Sequence, residues 1–493
     1  MSTELPATSV ASQLIRGSAW MIGARWAMRL IGLISVAILA RLLVPADFGV
    51  VAMALVIAGL LDTAAYAGVD LALIRTNADT REYRDSAWTI QLLQALVIAV
   101  LLLSVAPFAA EYYHEPRVVT ILIWLSAKSM IEGFQNIGVV AFQQELDFAK
   151  QFRFNVYSRV LNLVVTVAAA FFFRNYLALV IGMVSGALIT VGLSYAMHPY
   201  RPRISLAKAR QLWSFSNWLL VSRIGSFLSR RSDQFLIGGV VGATALGSYH
   251  VGGELATMPT AELVMPMRRA LFPTLSKLQG DPTAFRNAVL QSFSALAILC
   301  VSMGFGLMIT AGEIVPLVLG AQWQSAIPLV RWLAIYGTFS ALALVLEVPI
   351  WVNGKTQVSA IQAWLELVLL VPLILYSVHH YGIEGVAMSR AGVAVLMLPL
   401  MFYLTSRVCP IKMLDLLAAV WRPLAAGAFM IGGIMLPWEY STVLWMALVT
   451  KIFLGTALYL GGLLALWLLS GRPPGIEAAM IRRLRYSAKR SLP

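Results

Sequence analysis

Charge is what this chain has least of. Only 12% of its 493 residues are Asp, Glu, Lys or Arg, about half the share found in soluble globular domains. That excludes a water-soluble fold of this length. Cysteine is nearly absent as well. Cys300 and Cys409 both lie in or beside apolar segments, which excludes a disulfide framework. The five histidines are scattered without an HExxH pair, and no two apolar segments offer a metal-ligand set, so no metal is expected. Phosphate-binding loops are missing too. NGKT at Asn353–Thr356 has Pro349 where a P-loop needs its first glycine, and GFG at Gly304–Gly306 lies inside an apolar run without the third glycine. Neither ATP nor any other cofactor is expected, and nothing points to an enzyme. Met1–Ile15 has no basic stretch leading into an apolar core and a cleavage site, so the first apolar span is expected to direct insertion.

What the chain has instead is apolar length. Hydrophobic residues make up 59% of it, and the mean hydropathy is +0.79. A helix needs about 20 mainly apolar residues to cross a bilayer. By that measure the chain reads as an all-α integral membrane protein with about fourteen transmembrane helices. The fourth is expected over Val118–Val140, the ninth over Val289–Ile309, and the eleventh and twelfth over Val358–Val378 and Gly382–Leu404. No loop is long enough to fold as a domain; the longest on the outer side is expected over Thr310–Ala326.

The net charge of +14 is spread over short loops, a pattern that orients a membrane protein rather than binding nucleic acid. With the N-terminus inside, the cytoplasmic loops collect Arg75, Arg81, Arg84, Lys150, Arg153, Arg201, Arg203, Arg268, Arg269, Arg407 and the basic tail. The opposite side holds only Arg41, Arg117 and Arg174. Both termini are therefore expected in the cytoplasm. In the tail, Ile476, Ala479, Met480 and Leu484 recur at helical spacing among basic residues, as in a short helix lying on an anionic leaflet.

The chain also repeats itself. A shift of 198 residues superimposes Ser18 on Ser216, Trp20 on Trp218, Arg25 on Arg223, Leu30 on Leu228 and Gly49 on Gly247. In both copies an arginine-bearing span leads through a short turn into a second span opened by a glycine motif: VPADFG at Val44–Gly49, VGATALG at Val241–Gly247. Six spans separate the copies, so they share one orientation. The expected organisation is two six-helix bundles related by a parallel pseudo-repeat, residues 1–198 and 213–406. A cytoplasmic linker at 199–212 joins them, two added helices occupy 407–470, and a basic tail runs over 471–493.

Charge at membrane depth is expensive and marks functional sites. Arg25 and Arg29 are one helical turn apart in the first span; Arg223, Arg230 and Arg231 lie in the seventh. Lys128 and Glu132 share a face of the fourth span. Arginine suits a phosphate because its planar fork binds two oxygens and stays charged. Arg25, Arg29, Arg223, Arg230, Arg231 and Lys128 are thus candidates for holding a multivalent anion in a cavity. Asp233, Glu132 and Glu254 are candidates for ion coupling or gating. Arg16, Arg159, Arg422 and Lys451 lie near span ends, where the bland account is snorkelling to the interface. Pro259, Pro266 and Pro273 recur along the eighth span as sites of bending.

Several stretches resemble a known family. ARLLVPADFGVVAMALVIAGLLDTAAYAGVDLALIR (Ala40–Arg75), FQQELDFAK (Phe142–Lys150), RRSDQFLIGGVVGATALGSYHVGGELATMP (Arg230–Pro259) and RRALFPTLSKLQGD (Arg268–Asp281) resemble Wzx-type polysaccharide flippases. The resemblance is to their colanic-acid and teichuronic-acid exporter branch, within the multidrug/oligosaccharidyl-lipid/polysaccharide exporter superfamily. It covers nearly the whole chain and weakens after Leu404. It implies two six-helix lobes around a central cavity and transport by alternating access. It implies a substrate of oligosaccharide on undecaprenyl pyrophosphate, moved from the inner to the outer leaflet of the bacterial plasma membrane for exopolysaccharide or lipopolysaccharide synthesis. A polymerase and a chain-length regulator of the same pathway are the implied partners. Asp233 matches the family's acidic position before the IG pair. With no ATP motif, the driving force is expected from an H+ or Na+ gradient, the membrane potential or product removal. The alternatives are a multidrug exporter of the same superfamily, which the arginines disfavour, and a membrane-embedded polymerase, which the short loops disfavour.

Overall fold

A computed structural model describes residues 23, 27–65, 81–144, 147–209, 217–438 and 440–472. Its contacts divide the chain into two compact units, Met1–Gly247 and Ser248–Pro493. Every regular element among the described residues is helical. Nine helices there are long and apolar enough to cross a membrane. Large apolar side chains such as Phe172 and Leu469 are about 85% exposed; on a soluble protein they would be an aggregation hazard, whereas lipid tails satisfy them. The chain is an all-α integral membrane protein.

The first unit contains α1 (residues 27–42), α2 (Pro45–Ala65), α3 (Arg81–Tyr113), α4 (Arg117–Gly133), α5 (Phe148–Phe173), α6 (Leu177–Met197) and α7 (Asn217–Val240). Asp47, in the first turn of α2, ties two helix starts together. Its carboxylate accepts from the backbone N–H of Val44 at 3.2 Å and from that of Tyr176, just ahead of α6, at 3.0 Å. Such acceptors satisfy N–H groups that a helix start leaves open. The linker after α6 is sewn along the start of α3. Asp85 accepts from the Tyr200 hydroxyl and from the Arg203 N–H, Thr89 from the Ser205 N–H, and Ser86 from the Lys208 N–H. Burial, together with the hydrogen bond to the Asp85 carboxylate, raises the Tyr200 hydroxyl above the usual phenol range.

The fourth expected span, Val118–Val140, is not one continuous helix. It stops at Gly133, and Ile137–Val140 forms a separate tight turn. The break has a local cause. Asn136 is extended, and its side-chain oxygen accepts from the Gly138 N–H at 2.9 Å, an arrangement that competes with helix continuation.

Units and repeats do not share a boundary. The contact division falls at Gly247, whereas the linker expected from the repeat lies at 199–212, because α7 packs against α2. Phe227 of α7 fills the space that a side chain at Gly59 of α2 would need.

The second unit continues from α8 (Ala243–Lys277), which starts five residues earlier, through α9 (Pro282–Val318), α10 (Ala326–Val352), α11 (Thr356–Val408), α12 (Met413–Met435) and α13 (Leu444–Leu469). Asp281 caps α9 by accepting from the N–H groups of Thr283 and Ala284, with Pro282 at the first helical position. The expected outer loop Thr310–Ala326 is mostly helix, because α9 runs on to Val318; Leu319 and Gly320 then lead into a short turn at Ala321–Trp323. Gly382 breaks α11 with φ 60° and ψ −145°, a conformation only glycine adopts readily. The halves fold back on each other, with the Ser389 hydroxyl 2.8 Å from that of Ser377. That separates Val358–Val378 from Gly382–Leu404, as the apolar pattern requires. Pro259, Pro266 and Pro273 all lie inside the 35-residue α8. The core of this unit centres on Phe293 and Phe402, edge to face at 5.7 Å.

Candidate functional site

The two glycine motifs of the repeat meet. Pro45 and Gly49 open α2; Ala243 and Gly247 are their counterparts 198 residues later, at the start of α8. A side chain on Gly49 would collide with the Ala243 carbonyl, and one on Gly247 with the Pro45 carbonyl. The contact is thus reciprocal: each motif's glycine receives the other's backbone. Nearby, Tyr112 stacks on Phe235 with ring centroids 4.6 Å apart, and Tyr113 meets the same ring edge-on. Side chains at Gly238 and Gly239 would strike Tyr113 and Tyr112. Aromatic rings and bare backbone therefore pack together where these helix ends meet.

Farther along the helices lie the charges. Arg230, about 15 Å along α7 from Val240, is exposed, and Arg223, about 25 Å along, is half-buried. They are seven residues apart and share a stripe with Phe227. Arg231 is half-buried and donates to the Gln234 side chain at 2.9 Å. Arg29 on α1 is half-buried. Arg25 lies outside the described residues, as does the amphipathic reading of the tail.

Lys128 and Glu132 on α4 are brought together at 2.7 Å, and Asp62 of α2 lies within electrostatic reach of both. Asp62 and Glu132 are exposed and Lys128 is half-buried. Asp233 is different: it is 4% exposed, and its carboxylate accepts from the Gln234 N–H at 2.8 Å. Glu254 is exposed on α8 and belongs to the second unit.

Two readings by proximity to span ends need correction. Lys451 does not reach for an interface; it pairs with Glu313 on α9 at 2.5 Å and lies over the Tyr440 ring. Arg422 is 7% exposed, held inside the second unit. That unit contains two further cation sites that single-residue reading missed. Arg268 donates to Glu347 at 3.0 Å and covers Trp351 at 4.7 Å. Arg390 donates to the Tyr336 hydroxyl at 3.0 Å, above the same ring. Among the described residues no group of histidine, cysteine and acidic side chains could hold a metal.

Comparison with known proteins sets these features in context. Residues 38–328, more than half of the chain, match the model of a family described as polysaccharide biosynthesis protein. The lipopolysaccharide biosynthesis protein WzxC of Escherichia coli (strain K12) is 23% identical over 385 residues, covering 77% of this chain and 78% of its own. The succinoglycan biosynthesis transport protein ExoT of Rhizobium meliloti (strain 1021) is 25% identical over 327 residues, 66% of each chain. In fold, the chain is similar to the lipid II flippase MurJ in its inward closed conformation. That likeness has a TM-score of 0.73 at 12% identity and covers 91% of this chain and 98% of that one.

Proposed function

The chain belongs to the polysaccharide biosynthesis protein family, and from that premise we propose that it is a flippase for lipid-linked oligosaccharide. Its substrate is an oligosaccharide repeat unit on undecaprenyl pyrophosphate, carried from the inner to the outer leaflet of the bacterial plasma membrane. The observation that carries this reading is the arginine stripe of α7: Arg223 and Arg230, exposed to different degrees, on a 24-residue helix long enough to cross a bilayer. Arginine at that depth needs water or an anion beside it. A pyrophosphate offers the multivalent charge that a guanidinium fork binds best. Arg29 on the first helix of the other repeat, Arg231 beside Gln234, and Lys128 of α4 are further members of this cationic set, and the sequence adds Arg25, four positions before Arg29. A cavity for cationic drugs would call for the opposite sign.

Transport proceeds by alternating access between the two repeats, residues 1–198 and 213–406, with fourteen crossings and both termini in the cytoplasm. Asp233, Glu132 and Glu254 are the carboxylates available to couple the cycle to H+ or Na+. The partners are the lipid-linked glycan itself and the polymerase and chain-length regulator that receive it.

Arg223→Ala and Arg29→Ala in a strain lacking the chromosomal copy test the reading. Each is expected to cut polymer export severalfold, and the double variant to abolish it, with membrane levels of the protein unchanged. Full export by the double variant would sink the cationic-clamp mechanism.

A further inference from the structure

The break in the fourth span opens a cavity of about 260 Å³ in the first unit. Side-chain amides dominate its lining: Gln91, Gln135, Asn136, Gln151 and Asn155, with Phe142 and Phe154 among the apolar neighbours. Among the described residues, none in the lining carries a charge. That composition is unusual for a chain whose polar signal elsewhere is arginine.

Part of the amide set is structural. Gln91 Nε2 donates to the backbone carbonyls of Glu132, Gly133 and Gln135, at 3.2, 3.3 and 3.3 Å, closing the end of α4. Asn136 is fully buried. Its Oδ1 accepts from the Gly138 N–H, its Nδ2 donates to the Tyr200 carbonyl at 2.8 Å, and its backbone N–H donates to Ser194 Oγ. These bonds hold one wall in place. Gln135, Gln151 and Asn155 are half-buried around the cavity; the last two lie one helical turn apart on α5 and share a face.

An amide presents one acceptor and two donors side by side. A ring of neutral hydroxyls presents the same mixture. A phosphate would instead call for arginine, lysine or a helix start, and a cation for carboxylates. Buried aromatic carbon suits the C–H face of a sugar ring. We propose that this cavity is a subsite for an uncharged sugar residue of the glycan, separate from the arginines that hold the pyrophosphate. The proposal rests on the flippase reading and extends it: the amide cavity recognises the glycan, and the arginines recognise the lipid carrier that all such glycans share. Specificity then resides where the polar groups are neutral and directional, since a site built to hydrogen-bond a hydroxyl rejects a ligand lacking it.

The test uses the full-length protein in lipid nanodiscs and two probes: undecaprenyl pyrophosphate alone, and the lipid-linked repeat unit extracted from a strain lacking this protein. Gln151→Ala with Asn155→Ala, and separately Gln135→Ala, are compared with wild type. The expected result is binding of the glycosylated probe weakened about tenfold, as loss of one or two neutral hydrogen bonds implies. Affinity for the bare carrier should stay unchanged, which also reports an intact fold. Unchanged affinity for both probes, or an equal fall for both, overturns the sugar subsite while leaving the flippase reading standing. Failure of the wild type to bind either probe overturns the flippase reading and the subsite with it.

Discussion

Gly49 and Ala243 touch backbone to backbone: the carbonyl of Ala243 occupies the place of a side chain on Gly49. Ala243 is the counterpart of Pro45 in the repeat, and Pro45 in turn presses on Gly247. Two motifs related by 198 positions in sequence are therefore related by exchange of the same contact in space. Such a seam tolerates no β-carbon on either side.

Gly49→Val and Gly247→Val are accordingly expected to destabilise the detergent-purified protein. The backbone must retreat from the new side chain, at about 1–3 kcal/mol, enough to lower the melting temperature by a few degrees. Gly306→Val, where nothing lies within 4 Å, serves as the control and should melt with the wild type. Equal melting temperatures for all three variants would mean that the seam yields freely.

The Arg268–Glu347 pair is a second seam, within the other unit. Both side chains are less than a fifth exposed, and Trp351 covers the guanidinium. Removing one partner strands a charge in a poorly hydrated place. Glu347→Gln should therefore lower stability by about 3 kcal/mol, read by thermal or denaturant unfolding. Arg268→Met combined with Glu347→Leu should recover much of the loss, because it removes the stranded charge. A double variant as unstable as Glu347→Gln would show that the pair matters for more than its charge.

Glu115 supplies a pH signature outside the spans. The Arg117 guanidinium donates to it twice, each time at 2.8 Å, and these bonds hold its carboxyl below the usual glutamate range. A carboxyl depressed in the folded state favours folding above its unfolded pKa, about 4.3, and loses that contribution as pH falls through the folded value. Glu115→Gln should thus melt below the wild type at pH 7, and the gap should close on acidification toward pH ~3. A constant gap from neutral to acid pH would exclude this ionic contribution.

Much of the plan was legible in the chain. Spans could be read because a bilayer demands length and apolarity, and both are one-dimensional properties. Gly382 was readable as a boundary for the same reason: an apolar run twice too long for one crossing must be broken. The end of α9 was misjudged because Glu313 looks like a loop residue until Lys451 is seen beside it. Likewise Asn136 looks like any polar residue in a span until its side chain takes the Gly138 N–H and stops the helix.

Composition, hydrophobic length and the 198-residue repeat were enough to determine the all-α membrane class and to single out Arg29, Arg223 and Arg230 as chemically anomalous. These are properties of single residues and of their spacing. Which charges meet, which glycines carry a neighbour's backbone, and which amides line a common cavity depend on groups tens to hundreds of residues apart: Asp47 with Tyr176, Gly49 with Ala243, Gln91 with Gln135, Arg268 with Glu347. Only the packing of helices brings such pairs within the 3–4 Å at which hydrogen bonds and van der Waals contacts act.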